Sequence, residues 1–222
     1  MAEPGELPQP LPLLIAHARG AERGWHRLCW SLDERMARIV LGAREGPVAA
    51  IRLAWWEEAL TGDGKPVKGE PMLEAWHAAR PTSEEKALIA AVAGAWRMLL
   101  DPAPMTEAEW QGFGQGRGAL FPLIARRGGS EVLNRIGALW ALWDVARNDA
   151  DRVRAEGAFA AAIAVGQDEP PPARIRPKPL GLAAAMAMDD VLAHTLPGPR
   201  FTPRHYVRLL RRALLGGLAA GR

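Results

Sequence analysis

At 222 residues the chain is long enough to bury a substantial core within one domain. Its 49% hydrophobic and 24% charged residues are ordinary for a soluble globular protein. The net charge of +3 is mild, and only Lys65, Lys68, Lys86 and Lys178 are lysine, so the composition gives no reason to expect nucleic-acid binding. The lone cysteine, Cys29, excludes an internal disulfide and a cysteine-based metal cluster, and its apolar neighbours make it core filler. Glu3 and Glu6 among prolines do not form the basic start of a secretory leader. No apolar run approaches the roughly 20 residues that span a bilayer, so the expected location is cytoplasmic.

Helical periodicity runs through the chain. Trp25, Leu28, Cys29, Leu32, Met36, Ile39 and Val40 form one apolar stripe, closed by Gly42 and by Gly46-Pro47. A second helix starts at Pro47 and carries IRLAWWEEAL to about Thr61, where Gly62-Asp63-Gly64 stops it. A short helix is expected around Leu73, Trp76 and Ala79. Thr82 with Glu85, and Thr106 with Glu109, are capping-box pairs that start the next two helices, the second running past Phe113 toward Leu120 and Ile124. Gly128-Gly129 breaks the chain, and Ser130 caps a helix expected from Val132 to about Arg154. The proline-rich stretch 167–179 reads as an extended connector. Helices over about Leu180–His194 and Pro203–Ala219 complete an all-α chain, and no two-residue alternation suggests a sheet.

Three segments carry a resemblance: WHRLCWSLDERMARIV followed by PVAAIRLAWWEEAL, then WQGFGQGRGALFPLIARRGG, and the terminal FTPRHYVRLLRRAL. In order and spacing they resemble the squalene/phytoene synthase family, in particular a divergent bacterial branch similar to a mitochondrial complex I assembly factor. The resemblance covers about Ala21 to Leu218. It implies a single domain over 1–222, with the isoprenoid-synthase fold of helices around a central cavity. Active members condense two prenyl diphosphates, using Mg²⁺ ions held by paired acidic motifs on facing helices.

Placed on this chain, the first acidic motif falls at Glu34 to Arg38, which supplies one carboxylate and one arginine four residues apart. Asp33 has Ala37 at that spacing. The second motif falls in the helix around Trp140 to Arg154, where Asp144, Asn148 and Asp151 would share a face and could hold one hard cation, with Asp144 and Asp151 as its ligands. Arg147, Arg152 and Arg154 could instead pair with those acids. Arg52 and Trp55 can share a face and would line the cavity as anion and ring contacts.

Two functional readings stay open, beside a third possibility that the chain is an unrelated helical bundle. One is a degenerate, non-catalytic member, a pseudoenzyme that binds a hydrophobic ligand or acts in assembly without a cofactor. The other is an active Mg²⁺-dependent prenyl transferase of isoprenoid biosynthesis acting on prenyl diphosphates.

Gly112, Gly114, Gly116 and Gly118 resemble a nucleotide loop only superficially, because Arg117 stands where the last glycine of GxGxxG belongs. Inside a helix, their four-residue spacing lets a neighbour approach closely. No histidine pair has zinc-ligand spacing. Asp189-Asp190 read as helix surface. The last helix, with Arg204, Arg208, Arg211 and Arg212 beside Tyr206, Val207, Leu209 and Leu210, is basic and amphipathic. It could dock on its own domain, meet a protein partner, or attach the chain peripherally to an anionic inner-membrane surface.

Overall fold

The computed structural model describes residues 7–62, 69–168 and 175–215, and among these every regular element is helical. The helices are α1 Leu11–Ala16, α2 Arg23–Leu41, α3 Gly46–Thr61, α4 Pro71–Ala78, α5 Ser83–Met98 and α6 Glu107–Gly118. They continue with α7 Leu120–Ala125, α8 Glu131–Asn148, α9 Arg152–Asp168, α10 Lys178–Leu192 and α11 Pro203–Leu215. Among the described residues no helix is long and apolar enough to cross a membrane.

The local signals act as their chemistry requires. Thr82 and Thr106 each accept a hydrogen bond from the amide three residues on, and the Glu85 and Glu109 carboxylates accept one from the cap residue's own amide. Ser130 Oγ caps α8 through the Leu133 amide at 3.4 Å. The stripe on α2 is buried as expected, with Cys29, Leu32 and Met36 fully inside. Burial pushes the Cys29 thiol well above its ordinary pKa, so the residue is inert filler. The proline-rich stretch is narrower than 167–179, since Gln167 and Asp168 end α9 and Lys178 and Pro179 open α10, where a proline in the first turn forgoes no helical bond. Residues 169–174 of that stretch and 216–219 of the last predicted helix lie outside the described residues.

Two helix boundaries differ from the periodicity. The helix that opens at Thr106 is divided at Ala119 into α6 and α7. Pro122 has no amide hydrogen for the carbonyl four residues earlier and its ring crowds that turn, so the helix ends one turn before it. The helix expected to reach Arg154 ends at Asn148, and Asp149 is extended. Asp151 then starts α9: its Oδ1 accepts from the amides of Val153 at 2.9 Å and Arg154 at 3.2 Å. Short acidic side chains that can bond nearby amides compete with helix continuation, and Asp149, which accepts from the Asp151 amide, and Asp151 do so here.

Helix α8 lies centrally, packed by α6, α7, α9 and α10, while α2 contacts α1, α3, α4, α5 and α7. Between them the tryptophans form much of the core: Trp30, Trp76, Trp96, Trp140 and Trp143 are almost wholly buried. Their rings touch one another or phenylalanine, with Trp140 5.0 Å from Trp143 and 5.6 Å from Trp30, and Trp96 5.9 Å from Phe113. Several indole N–H groups find oxygen: Trp25 donates to Leu123 O, Trp76 to Leu60 O, and Trp143 to the Asp190 carboxylate at 2.9 Å, whereas those of Trp30 and Trp140 are buried without a partner among the described residues. Asp190 is therefore buried rather than on the helix surface, because it answers a buried donor.

The glycines of α6 permit its placement. A Cβ on Gly116 would meet Ala95 and the Ala91 carbonyl of α5, and one on Gly114 would meet Leu142 of α8 at 2.9 Å. At Gly118 the neighbour is backbone: an added Cβ would lie 2.5 Å from the Ala138 nitrogen. Gly137 faces it, where a Cβ would lie 2.2 Å from Gly118 O. Thus α6 is wedged between α5 and α8, and it touches α8 main chain to main chain.

Candidate functional site

Where α2, α5, α6 and α8 meet, the core holds charge. Asp33 on α2 and Arg117 on α6 are both about 4% exposed at the side chain, and Asp144 on α8 is 19% exposed. The Arg117 guanidinium is a planar fork, and Asp33 receives it through two bonds: Nε to Oδ1 at 3.1 Å and Nη2 to Oδ2 at 2.8 Å. The same Nη2 donates to Asp144 Oδ2 at 2.6 Å, and Nη1 donates to the Ala141 carbonyl at 3.0 Å. Trp96 of α5 completes the enclosure. Its Nε1 donates to Asp33 Oδ1 at 2.7 Å, and its ring lies 4.3 Å from the guanidinium carbon. One cation thus joins carboxylates that come from two different helices, α2 and α8.

Burial alone would lower the pKa of Arg117, but the adjacent carboxylates of Asp33 and Asp144 outweigh it and hold the pKa above its usual value. The group stays charged, and removing it leaves two acids in a poorly hydrated place.

The residues of the expected acidic motifs are placed as follows. Glu34 bonds Arg38 at 2.9 Å along α2, an ordinary i, i+4 ion pair in which Arg38 is exposed. Burial pushes the Glu34 carboxyl up, the Arg38 hydrogen bond pulls it back, and the charges of Asp33 and Asp144 push it up again. Asn148 donates to Asp144 Oδ1 at 2.9 Å, so it spends its amide on the carboxylate it was expected to assist. Asp151 is on a different helix from Asp144 and caps α9, which corrects its place on a shared face. Arg154 faces Asp149 at 3.0 Å and Asp151 at 3.7 Å.

Arg52 and Trp55 are corrected as well. Both lie on the exposed face of α3, Trp55 at 44% exposure beside Val48 and Ile51, while Leu53, Trp56 and Leu60 turn inward. Trp56, rather than Trp55, is the ring of that pair in the core, because the buried stripe of α3 passes through Ala49, Leu53, Trp56 and Leu60.

A hard divalent cation does not fit these donors. Among the described residues no three histidine, cysteine or acidic side chains are grouped closely enough to hold a metal ion. Asp33 and Asp144 already share a guanidinium, Glu34 has Arg38, and Asp151 has two amides. Mg²⁺ requires near-octahedral oxygen ligation and retains several waters, which calls for room beside the carboxylates. Arg117 and Trp96 take that room.

Sequence reasoning passed over Asp33 and Arg117. Each stands on the buried stripe of its helix, Asp33 between Cys29 and Met36 and Arg117 one turn after Phe113, and that location was the available signal. Compared with models of protein families, with curated proteins and with solved structures, the chain matches none.

Proposed function

We propose that this protein is a non-catalytic relative of the squalene/phytoene synthases, a helical protein that binds a hydrophobic ligand or an assembly partner and does not transfer prenyl groups. The observation that carries the reading is the bridge from Arg117 to Asp33 and Asp144. In active members of the family the resemblance points to, metal ions lie between acidic motifs on facing helices, and each ion draws charge off a departing diphosphate. In this chain the helices at the corresponding places in the sequence are α2 and α8. A side-chain cation joins them, fixed by four hydrogen bonds and bound covalently to α6. A tethered guanidinium keeps the helices together, but it has no open coordination position for a substrate oxygen.

Glu34 and Arg38 support the same reading. Their i, i+4 pair satisfies both charges locally and leaves the first motif with no second carboxylate. Incubated with farnesyl or geranylgeranyl diphosphate and Mg²⁺, the protein is expected to release no pyrophosphate and to form no condensed prenyl product. Sustained release with product formation would overturn the reading in favour of an active Mg²⁺-dependent prenyl transferase.

A further inference from the structure

Helix α11 packs on α10 through one side only. Leu209 and Ala213 are buried at 3% and 7% exposure, and Lys178 Nζ donates to the Ala213 carbonyl at 2.7 Å. Arg208 reaches Asp190 at 3.6 Å and Arg212 pairs with Asp189, so two arginines hold the helix in place. The other side carries Val207 and Leu210, exposed at 55% and 54%, and Tyr206, 38% exposed, stands at its edge with its ring 4.7 Å from Phe201. Residues 206 and 210, and 207 and 210, are one turn apart, so these side chains form one patch. Arg204 and Arg211, two turns apart, flank it, and Arg211 is one turn from Val207. Neither makes an ion pair among the described residues, and Arg200 just ahead of the helix is likewise exposed. After Asp190 the sequence contains no acidic residue, so no carboxylate of this segment offsets the arginines.

We infer that the outward face of α11 is a membrane-surface element that lies flat on a bilayer rich in anionic phospholipid. Charge complementarity selects the partner: guanidinium groups beside the patch meet lipid phosphates, while Val207, Leu210 and the Tyr206 ring enter the boundary between headgroups and acyl chains. A purely electrostatic partner such as nucleic acid would give the three apolar side chains nothing to enter. The face is remote in sequence from Arg117, and the inference stands whether or not the protein transfers prenyl groups.

Co-sedimentation of the full chain with vesicles tests it. Binding is expected to phosphatidylglycerol-rich vesicles and not to phosphatidylcholine vesicles, and it should weaken as salt rises. The double variant Arg204→Gln/Arg211→Gln is expected to bind about tenfold or more weakly, since each cation near an anionic surface contributes on the order of a fivefold gain. Val207→Ser/Leu210→Ser is expected to lose about tenfold while keeping its helical circular dichroism and melting temperature, because both positions face solvent. Failure of the wild type to bind anionic vesicles, or equal binding to both lipids, would overturn the inference. So would wild-type vesicle binding by the Val207/Leu210 variant, which would mark a face that reads charge alone, as for nucleic acid or an acidic protein.

Discussion

Replacing Arg117 by methionine is expected to destabilise the fold by about 3–5 kcal/mol, the range for removing one partner of a buried, hydrogen-bonded ion pair. The loss has two parts. Asp33 keeps only the Trp96 N–H at its buried carboxylate, and Asp144 keeps Asn148 but loses the cation between α8 and α2. Removing the charge of Asp33 as well separates these parts. The double variant Asp33→Asn/Arg117→Met is expected to recover a good part of the loss, since no fully buried charge is then unmatched, and Asp144 at 19% exposure can take up water. Urea unfolding of the wild type, single and double variants at neutral pH measures both steps. A single-variant cost below about 1 kcal/mol would mean that solvent already shares the cluster.

Alanine at Gly118 or Gly137 is expected to cost about 3 kcal/mol or more, at the upper end of overpacking. At both positions the new methyl meets main chain, 2.5 Å from the Ala138 nitrogen in one case and 2.2 Å from Gly118 O in the other. Main chain cannot rotate away as a side chain does, so α6 and α8 must separate. Arg117 adjoins Gly118, and the separation therefore also pulls its guanidinium from Asp144. Gly94 is the control: in the interior of α5, with nothing within 4 Å of an added Cβ, Gly94→Ala is expected to stabilise by about 0.5–1 kcal/mol. Thermal melts of the three variants give the comparison. Equal melting temperatures for Gly118→Ala and Gly94→Ala would contradict the close α6–α8 contact.

The all-helical fold was legible because its signals are local. Apolar spacing, two capping boxes and the glycine breaks locate α2, α3, α5, α6 and the start of α8 from neighbouring residues alone. The ends of elements were less legible. The break before Pro122 and the start of α9 at Asp151 follow from which amide or carbonyl a side chain satisfies, and apolar periodicity is silent on that.

The cluster was harder to read for a different reason. Its partners are 84 residues apart for Arg117–Asp33 and 27 for Arg117–Asp144. Nothing local pairs an acid on one helix with a base on another. What the sequence does carry is a charged residue inside each of two otherwise apolar stripes. A lone buried charge is too costly to persist, so two such intrusions of opposite sign imply each other. Reading Arg117 only as the residue that spoils a glycine motif missed this, as did setting Asp33 aside for lacking a carboxylate four residues on. Asp190 repeats the lesson, since its partner Trp143 is 47 residues away.

Calorimetric titration of the wild-type protein with farnesyl diphosphate, with and without Mg²⁺, tests directly the proposal that Arg117 rather than a metal ion bridges Asp33 and Asp144. No Mg²⁺-dependent component of diphosphate binding is expected. A Mg²⁺-dependent affinity that is lost in Asp144→Ala would contradict the proposal.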